Sequence, residues 1–451
     1  MPPADRPNNP GRPGDDTPHP LAEYWNEAFD RAIAALSQSP QAGVRPGALD
    51  SAEAFFHEYL SSPLFLEAMK QRIDLLISTR REYQRLEEPS PLWDDHMKSC
   101  WVGQRPDGQS VAEPDAARER GTPADVVFRG EAFAVKRFRS DSPRAFAEPV
   151  LICFSLINRP YILDLNQRVS VVRRLLEAGF DVYLIDWNAP TDADRGLGLD
   201  DYARRYLGQA VEAVCSHAGC DRLHLLGYCL GGTLSVIYGS LRPGRLRSLT
   251  LLAAPIDFSG DRSLLNLWAR QEYFDADGLV AAFGNCPGFF LRSCFQLMKP
   301  AANLIEKHLR LAENLDKPAY CENFMAMERW SHDSVPVAGR VFLECVKLLY
   351  RENRLAEGTL RLGGAGVDLK QIDCPLLLLV GTKDHLVPVV ATRPVERLVS
   401  SDEVRTLEAD VGHIGLVVST KAHRGLWPEA AAWLVGYSSP IPPTRPAPER
   451  G

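Results

Sequence analysis

Three short stretches carry the residue types that acyl transfer needs. Residues 227–232 read Gly-Tyr-Cys-Leu-Gly-Gly, a tight Gly-x-Cys-x-Gly turn between the apolar run LHLLG and the helix-like run GGTLSVIYGSLRP. A small residue on either side of Cys229 lets the chain reverse sharply. The thiol is then pushed up at the C-terminal edge of its strand, beside a helix N-terminus. Such a helix end favours a thiolate over a thiol, and the amide of Leu230 would face a developing oxyanion. In VGTKDHLVP, 380–388, Asp384 follows the end of an apolar strand; in EADVGHIGL, 408–416, His413 follows the end of another. A thiol, a base to deprotonate it and a carboxylate to orient that base make a set for nucleophilic attack on an acyl group.

Other residues compete for these roles. Asp257, after LRSLTLLAAP, is the alternative acid. His385 adjoins Asp384 and is read as lining the site. Asp410 shares a short loop with His413 and is read as a turn residue. His332 has no visible partner, and RLGGAGVD is a turn, since no helix follows it with phosphate-loop spacing. The chain has ten cysteines, most of them in apolar runs such as VLICFSLI (Cys153) and VFLECVKLL (Cys345). In a reducing compartment these read as buried small hydrophobes. Cys215 and Cys220 lie close together, but no second Cys or His pair has metal-site spacing, so no metal is expected.

The elements that must position Cys229, Asp384 and His413 are legible as strands alternating with helices. VVFRGEAFAVKRF reads as a hairpin, VLICFSLI as a buried strand and VSVVRRLLEAG as a helix ended by Gly179. FDVYLIDW, LHLLG, LRSLTLLAAP, CPLLLLVG and VRTLEA are further strands, and DDYARRYLGQAVEAVCSHAG is a further helix. Solidly apolar strands between helices predict a mostly parallel sheet with helices on both faces. Nucleophile, acid and His in that order on strand ends is the order of the α/β-hydrolase fold. The expected division is 1–19 disordered, 20–88 an N-terminal helical segment and 89–123 a linker. The first part of the core follows at 124–257, an inserted, mainly helical cap at 258–368, the second part of the core at 369–437 and a disordered tail at 438–451. Within the helical segment, Leu21, Trp25, Phe29, Ile33 and Leu36 recur at helical spacing. Ser62 caps a helix that starts with Pro63.

The net charge of −7 has both signs interspersed, so no basic face for nucleic acid is expected. The polar, Pro-rich N-terminus lacks the layout of a signal peptide. No apolar run approaches the ~18 residues of a membrane span. A cytoplasmic protein without a transmembrane segment is expected.

Taken together, INRPYILDL, DVYLIDWNAPTDADRGLGLDDY, LLGYCLGGT, VDLKQIDCPLLLLVGTKDHLVP and VGHIG, spread over 124–436, resemble the polyhydroxyalkanoate synthases, specifically their short, class III catalytic subunit. The resemblance implies Cys229 as acyl carrier, His413 as base and Asp384 as third member. It implies polyester synthesis from (R)-3-hydroxyacyl-CoA, with 3-hydroxybutyryl-CoA the expected monomer, at the surface of intracellular polyester granules. The CoA thioester is substrate, and no cofactor is expected. A second oxyanion donor is placed by the family near Leu156, Ile157 or Asn158. A homodimer is the expected assembly. Class III enzymes also work with a separate helical subunit; here the N-terminal hundred residues exceed the short subunit, and GYCLGG is closer to the box of the one-subunit classes, so that partner is an open point.

A Cys suits such chemistry. An acyl group passed from CoA to Cys229 stays a thioester and keeps its transfer potential, whereas an acyl-Ser would be an oxoester about as stable as the polymer bond. Two other readings stand beside this one: a thioesterase or polyester depolymerase on the same fold, and a non-catalytic, granule-associated scaffold. The sequence leaves open whether Asp384 orients His413 or acts directly on the attacking hydroxyl.

Overall fold

The computed structural model describes residues 54, 56–84, 121–140, 143–260 and 263–441. The expectations for 1–19, for the helix through Leu36, for most of the 89–123 linker and for the end of the tail lie outside them.

Eight strands form one sheet: β1 (Ala124–Arg129), β2 (Phe133–Phe138), β3 (Val150–Cys153), β4 (Val182–Trp187), β5 (Leu223–Tyr228), β6 (Leu246–Leu252), β7 (Leu376–Gly381) and β8 (Val404–Ala409). Their spatial order is β1-β2-β4-β3-β5-β6-β7-β8. The β1–β2 hairpin is antiparallel and β2 runs antiparallel to β4, while every neighbour from β4 to β8 is parallel. Side chains alternate between two cores, as a sheet covered on both faces requires. Leu376 and Leu378 enter one core and Leu377 and Leu379 the other, and all six residues of β7 are buried. This is the α/β-hydrolase architecture.

The chain runs outward from β3 to β4, then returns to place β5 on the other side of β3. That reversal opens a crevice at the C-terminal ends of β3 and β5, where ligands of parallel sheets bind. The loop after β5 is the Cys229 turn. The helix Leu207–Ala218 feeds β5. It is preceded by a wider π turn at Asp201–Tyr206, so the single helix expected over 200–219 changes winding midway.

Between β6 and β7 lies the mainly helical cap, including helices Leu264–Trp268, Ala276–Phe283, Gly288–Leu297 and Pro318–His332. The N-terminal helix Pro63–Gln84 lies against it. Ser62 accepts the Phe65 amide at 3.3 Å, and Pro63 takes the first helical position, where no N–H is needed. Phe56, Tyr59, Leu60 and Leu66 bury against Leu264 and Trp268 of the cap. The Trp268 indole donates to the Leu60 carbonyl at 3.1 Å, and Gln84 donates to the Ala282 carbonyl at 2.9 Å. Further along the same helix, Ile73 and Ile77 join the main core. Leu66→Ala is expected to lose about 2–5 kcal/mol of packing and to free the helix before the sheet unfolds. Limited proteolysis should then release the N-terminal segment at a temperature where the wild type resists.

At the other end of the chain the expected disordered tail is corrected at 438–441. Ser439 and Ile441 exchange backbone hydrogen bonds with Ala147 and Ala145 at 2.9 Å, and Glu148 holds the Ser439 side chain. Backbone pairing, not an apolar side chain, fixes this strap. No helix of the described residues is long and apolar enough to cross a membrane.

Candidate active site

The turn after β5 is held by glycines. A Cβ at Gly227 would stand 2.5 Å from the Gly232 Cα, and one at Gly231 would overlap the Cys153 carbonyl at the end of β3. Only bare backbone lets strand and helix cross so closely. Cys229 itself adopts φ 55°, ψ −128°, a conformation costly for a non-glycine residue. Its own backbone amide is tied to the Leu252 carbonyl of β6 at 3.0 Å, and its carbonyl accepts from Gly232 at 2.8 Å. The helix Leu230–Leu241 starts at once, so the thiol stands at a helix N-terminus and remains partly accessible. Leu230 is the first residue of that helix, where an amide has no partner within the helix.

His413 and Asp384 meet behind the thiol. Asp384 Oδ2 lies 2.7 Å from His413 Nδ1, and both residues are buried, at 5% and 9% exposure. The other carboxylate oxygen accepts the amides of Leu386 (2.9 Å) and Val387 (2.8 Å). Both oxygens are therefore engaged by donors that fix the carboxylate plane. The His413 ring stacks on Tyr228, with centroids 5.1 Å apart and planes 20° from parallel. Burial alone would lower the His413 pKa. The negative charges of Asp384 and then Cys229, with hydrogen bonds to both, outweigh it and raise the pKa to about 10. The site thus favours the imidazolium form of His413.

A pH dependence follows. An unfolded histidine titrates near 6.5, so the fold holds this proton more tightly than the unfolded chain does. The stabilisation is complete below about pH 6.5 and is lost as pH rises through the folded value. The melting-temperature advantage of wild type over Asp384→Asn should be largest near pH 6 and shrink toward pH 10. A gap that widened with pH would mean the imidazolium is not the favoured form.

The competing residues separate by geometry. Asp257 is drawn into a different network: its Oδ1 accepts from Ser259 at 2.6 Å and from the Asn353 amide at 3.0 Å. Asp410 is exposed between Lys421 and Lys383; the Lys421 hydrogen bond, then that of Lys383, hold its carboxyl at about 2. Among the described residues, His332 bonds its own helix, at the Glu328 carbonyl and the neighbouring Ser331. His385 is exposed beside Asp384. Partial desolvation, then the charge of Lys299, lower its pKa.

Of the expected oxyanion donors, Leu156 is buried and the Ile157 amide is taken by the Ser155 hydroxyl at 3.2 Å. Asn158 sits in the left-handed region at φ 67°, in the loop that follows β3. Tyr228 and Tyr350 were not singled out on the sequence. Tyr350 ends a cap helix and packs edge-on against Phe258 at 5.0 Å; burial, then the Cys229 charge, raise its pKa. Beside it a cavity of ~30 Å³, room for about one water, is bounded by Phe258, Asn266, Leu386 and Val390. Nothing in the spacing of Tyr350 could have found it, because cap and elbow meet only in the fold. For Tyr228 the signal was its position next to Cys229.

Comparison with known proteins adds an independent finding. Residues 148–420 match the model of the alpha/beta hydrolase fold, and residues 118–175 match that of the poly-beta-hydroxybutyrate polymerase (PhaC) N-terminus. Poly(3-hydroxyalkanoate) polymerase subunit PhaC of Haloferax mediterranei is 42% identical over 317 residues, 70% of this chain and 64% of that protein. The subunit of the same name from Haloarcula marismortui is 43% identical, over 69% of this chain and 67% of its own length. That from Allochromatium vinosum is 38% identical, over 69% of this chain and 88% of its own. The match thus spans just under two thirds of the Haloferax relative.

Proposed function

The chain belongs to the family of poly(3-hydroxyalkanoate) polymerase PhaC subunits, and from that premise we propose that it polymerises a short-chain (R)-3-hydroxyacyl-CoA through an acyl-Cys229 intermediate. The observation that carries the reading is a cysteine, not a serine, on the strained turn, beside an imidazole that a buried carboxylate holds at 2.7 Å.

In the proposed cycle the Cys229 thiolate attacks the thioester carbonyl. The Leu230 amide faces the oxyanion. The C–S bond to CoA breaks, and the departing CoA sulfur takes the proton from His413. The acyl group is now a thioester on Cys229. The 3-hydroxyl of a second acyl unit attacks it, giving its proton to His413. An ester bond forms, and Cys229 leaves as thiolate beside the imidazolium. Asp384 orients His413, since both of its oxygens are already occupied by fixed donors. The apolar cap keeps water from the acyl-Cys. The cycle calls on no cofactor.

The test is purified protein with (R)-3-hydroxybutyryl-CoA and a longer-chain analogue, without any other protein, following CoA release and the form of the product. Insoluble polyester with the short-chain substrate is expected. Soluble 3-hydroxy acid as sole product would overturn polymerisation in favour of hydrolysis. Polymer only after adding a second, helical subunit would place that subunit among its partners.

A further inference from the structure

Two thiols outside the active site are brought together by the way a helix ends. The crossover helix Leu207–Ala218 stops at Gly219, which takes φ 69°, ψ 44°, the left-handed conformation that glycine adopts without strain. The chain turns back so that the Cys220 amide donates to the Cys215 carbonyl at 3.0 Å. At helix ends of this kind the side chains on either side of that hydrogen bond pack together, normally as an apolar pair. Here both are cysteines, so the turn sets the two thiols side by side. The hydrogen bond between the two backbones holds them within the span of a disulfide. Cys215 is buried, at 4% exposure, while Cys220 is partly exposed.

We propose that Cys215 and Cys220 form a redox site, which a hydroperoxide converts to an intramolecular disulfide and a dithiol reductant reopens. The two thiols divide the chemistry. Cys220 lies near the Arg144 guanidinium, which binds the Ala218 carbonyl at 3.0 Å. The neighbouring Cys215 thiol chiefly holds the Cys220 pKa below its ordinary value, against partial burial and then the Glu148 charge. The Cys220 thiol beside it, then burial, push Cys215 up. Cys220, the accessible thiol, is therefore the attacking one and the buried Cys215 the resolving one.

In the first step the Cys220 sulfur attacks a peroxide oxygen. The O–O bond breaks, the sulfur becomes a sulfenic acid, and the released alkoxide or hydroxide takes up a proton. In the second the Cys215 sulfur attacks the sulfenic sulfur, the S–S bond forms, and water leaves with the Cys215 proton. Two thiols are oxidised and one peroxide is reduced. A dithiol reverses the result by exchange. The pair precedes β5 and Cys229 follows it, so a six-residue strand of about 20 Å separates them. Polymerisation is therefore not the readout.

Arg205 and Arg222 flank both thiols, so one tryptic peptide, residues 206–222, carries them. Native full-length protein is treated with hydrogen peroxide, alkylated with iodoacetamide, digested and weighed. The expected peptide is unalkylated and two hydrogens lighter than the dithiol form, and a dithiol wash before alkylation restores labelling at both positions. Cys215→Ser should leave Cys220 as a sulfenic acid that dimedone captures. Full alkylation of both thiols after peroxide would overturn the proposal, as would a Cys220 sulfinic acid beside an alkylated Cys215. The wild-type peptide decides the matter even if that variant does not fold.

Discussion

Cys229→Ala should fold, release no CoA from 3-hydroxybutyryl-CoA and make no polymer. The loss in rate is at least about 10⁴-fold, as for removal of a nucleophile that acts in concert with its base. The fold should tolerate the change. Alanine meets the same backbone strain at φ 55° as cysteine does, and the amide bond to Leu252 is unaffected. Melting within about 1 kcal/mol of wild type is the control. Cys229→Ser is more informative. Its hydroxyl occupies the same turn, but it ionises far less readily than a thiol near 8.5. Any acyl group it accepts is an oxoester, no higher in transfer potential than the bond it must go on to form. The serine variant should take up at most one acyl group, visible as a mass increase on residue 229, and should not extend it. Polymer from Cys229→Ala would mean chain growth does not pass through this sulfur.

The parts of the site that lie along the chain were legible because they are local. Gly227 and Gly231 flank Cys229 within five residues, and their role is to be absent of side chain where the end of β3 presses in. LLLLVG reads as a parallel strand because both faces are covered, so no polar alternation interrupts it. What could not be read is what depends on two distant segments meeting. Asp257 and Asp384 both follow apolar strands. They part company only because Asn353, at the end of the cap, reaches Asp257 at 3.0 Å, while His413 reaches Asp384 at 2.7 Å. Ser62 and Pro63 mark where the helix Pro63–Gln84 starts, but not that its Phe65 ring would meet Trp268. The strap at 438–441 is made of backbone hydrogen bonds to residues nearly three hundred positions earlier, and a Ser-Pro sequence gives no sign of them.

Asp384→Asn should cost about 10³–10⁴-fold in polymerisation, and the loss should fall unequally on the two half-reactions. The reason is the direction of the hydrogen bonds. One oxygen of Asp384 accepts two amides, from Leu386 and Val387. An asparagine must keep its carbonyl there, since its NH₂ would face two donors. The NH₂ is left pointing at His413 Nδ1, which must then accept, and the ring carries its proton on Nε2. In that tautomer the nitrogen facing Cys229 is a donor and cannot take a proton. A thiol can still ionise without help as pH rises past about 8.5, so acylation and release of the first CoA should partly recover at pH 9–10. An alcohol cannot, so transfer to the 3-hydroxyl should stay slow at every pH. Mass spectrometry of the variant at high pH should therefore find acyl-Cys229 accumulating without polymer. If Asp384 acted on the hydroxyl directly, acylation would be spared at neutral pH as well. CoA release in a single turnover at pH 7 separates the two roles: slow if the carboxylate orients His413, near wild type if it serves only the alcohol.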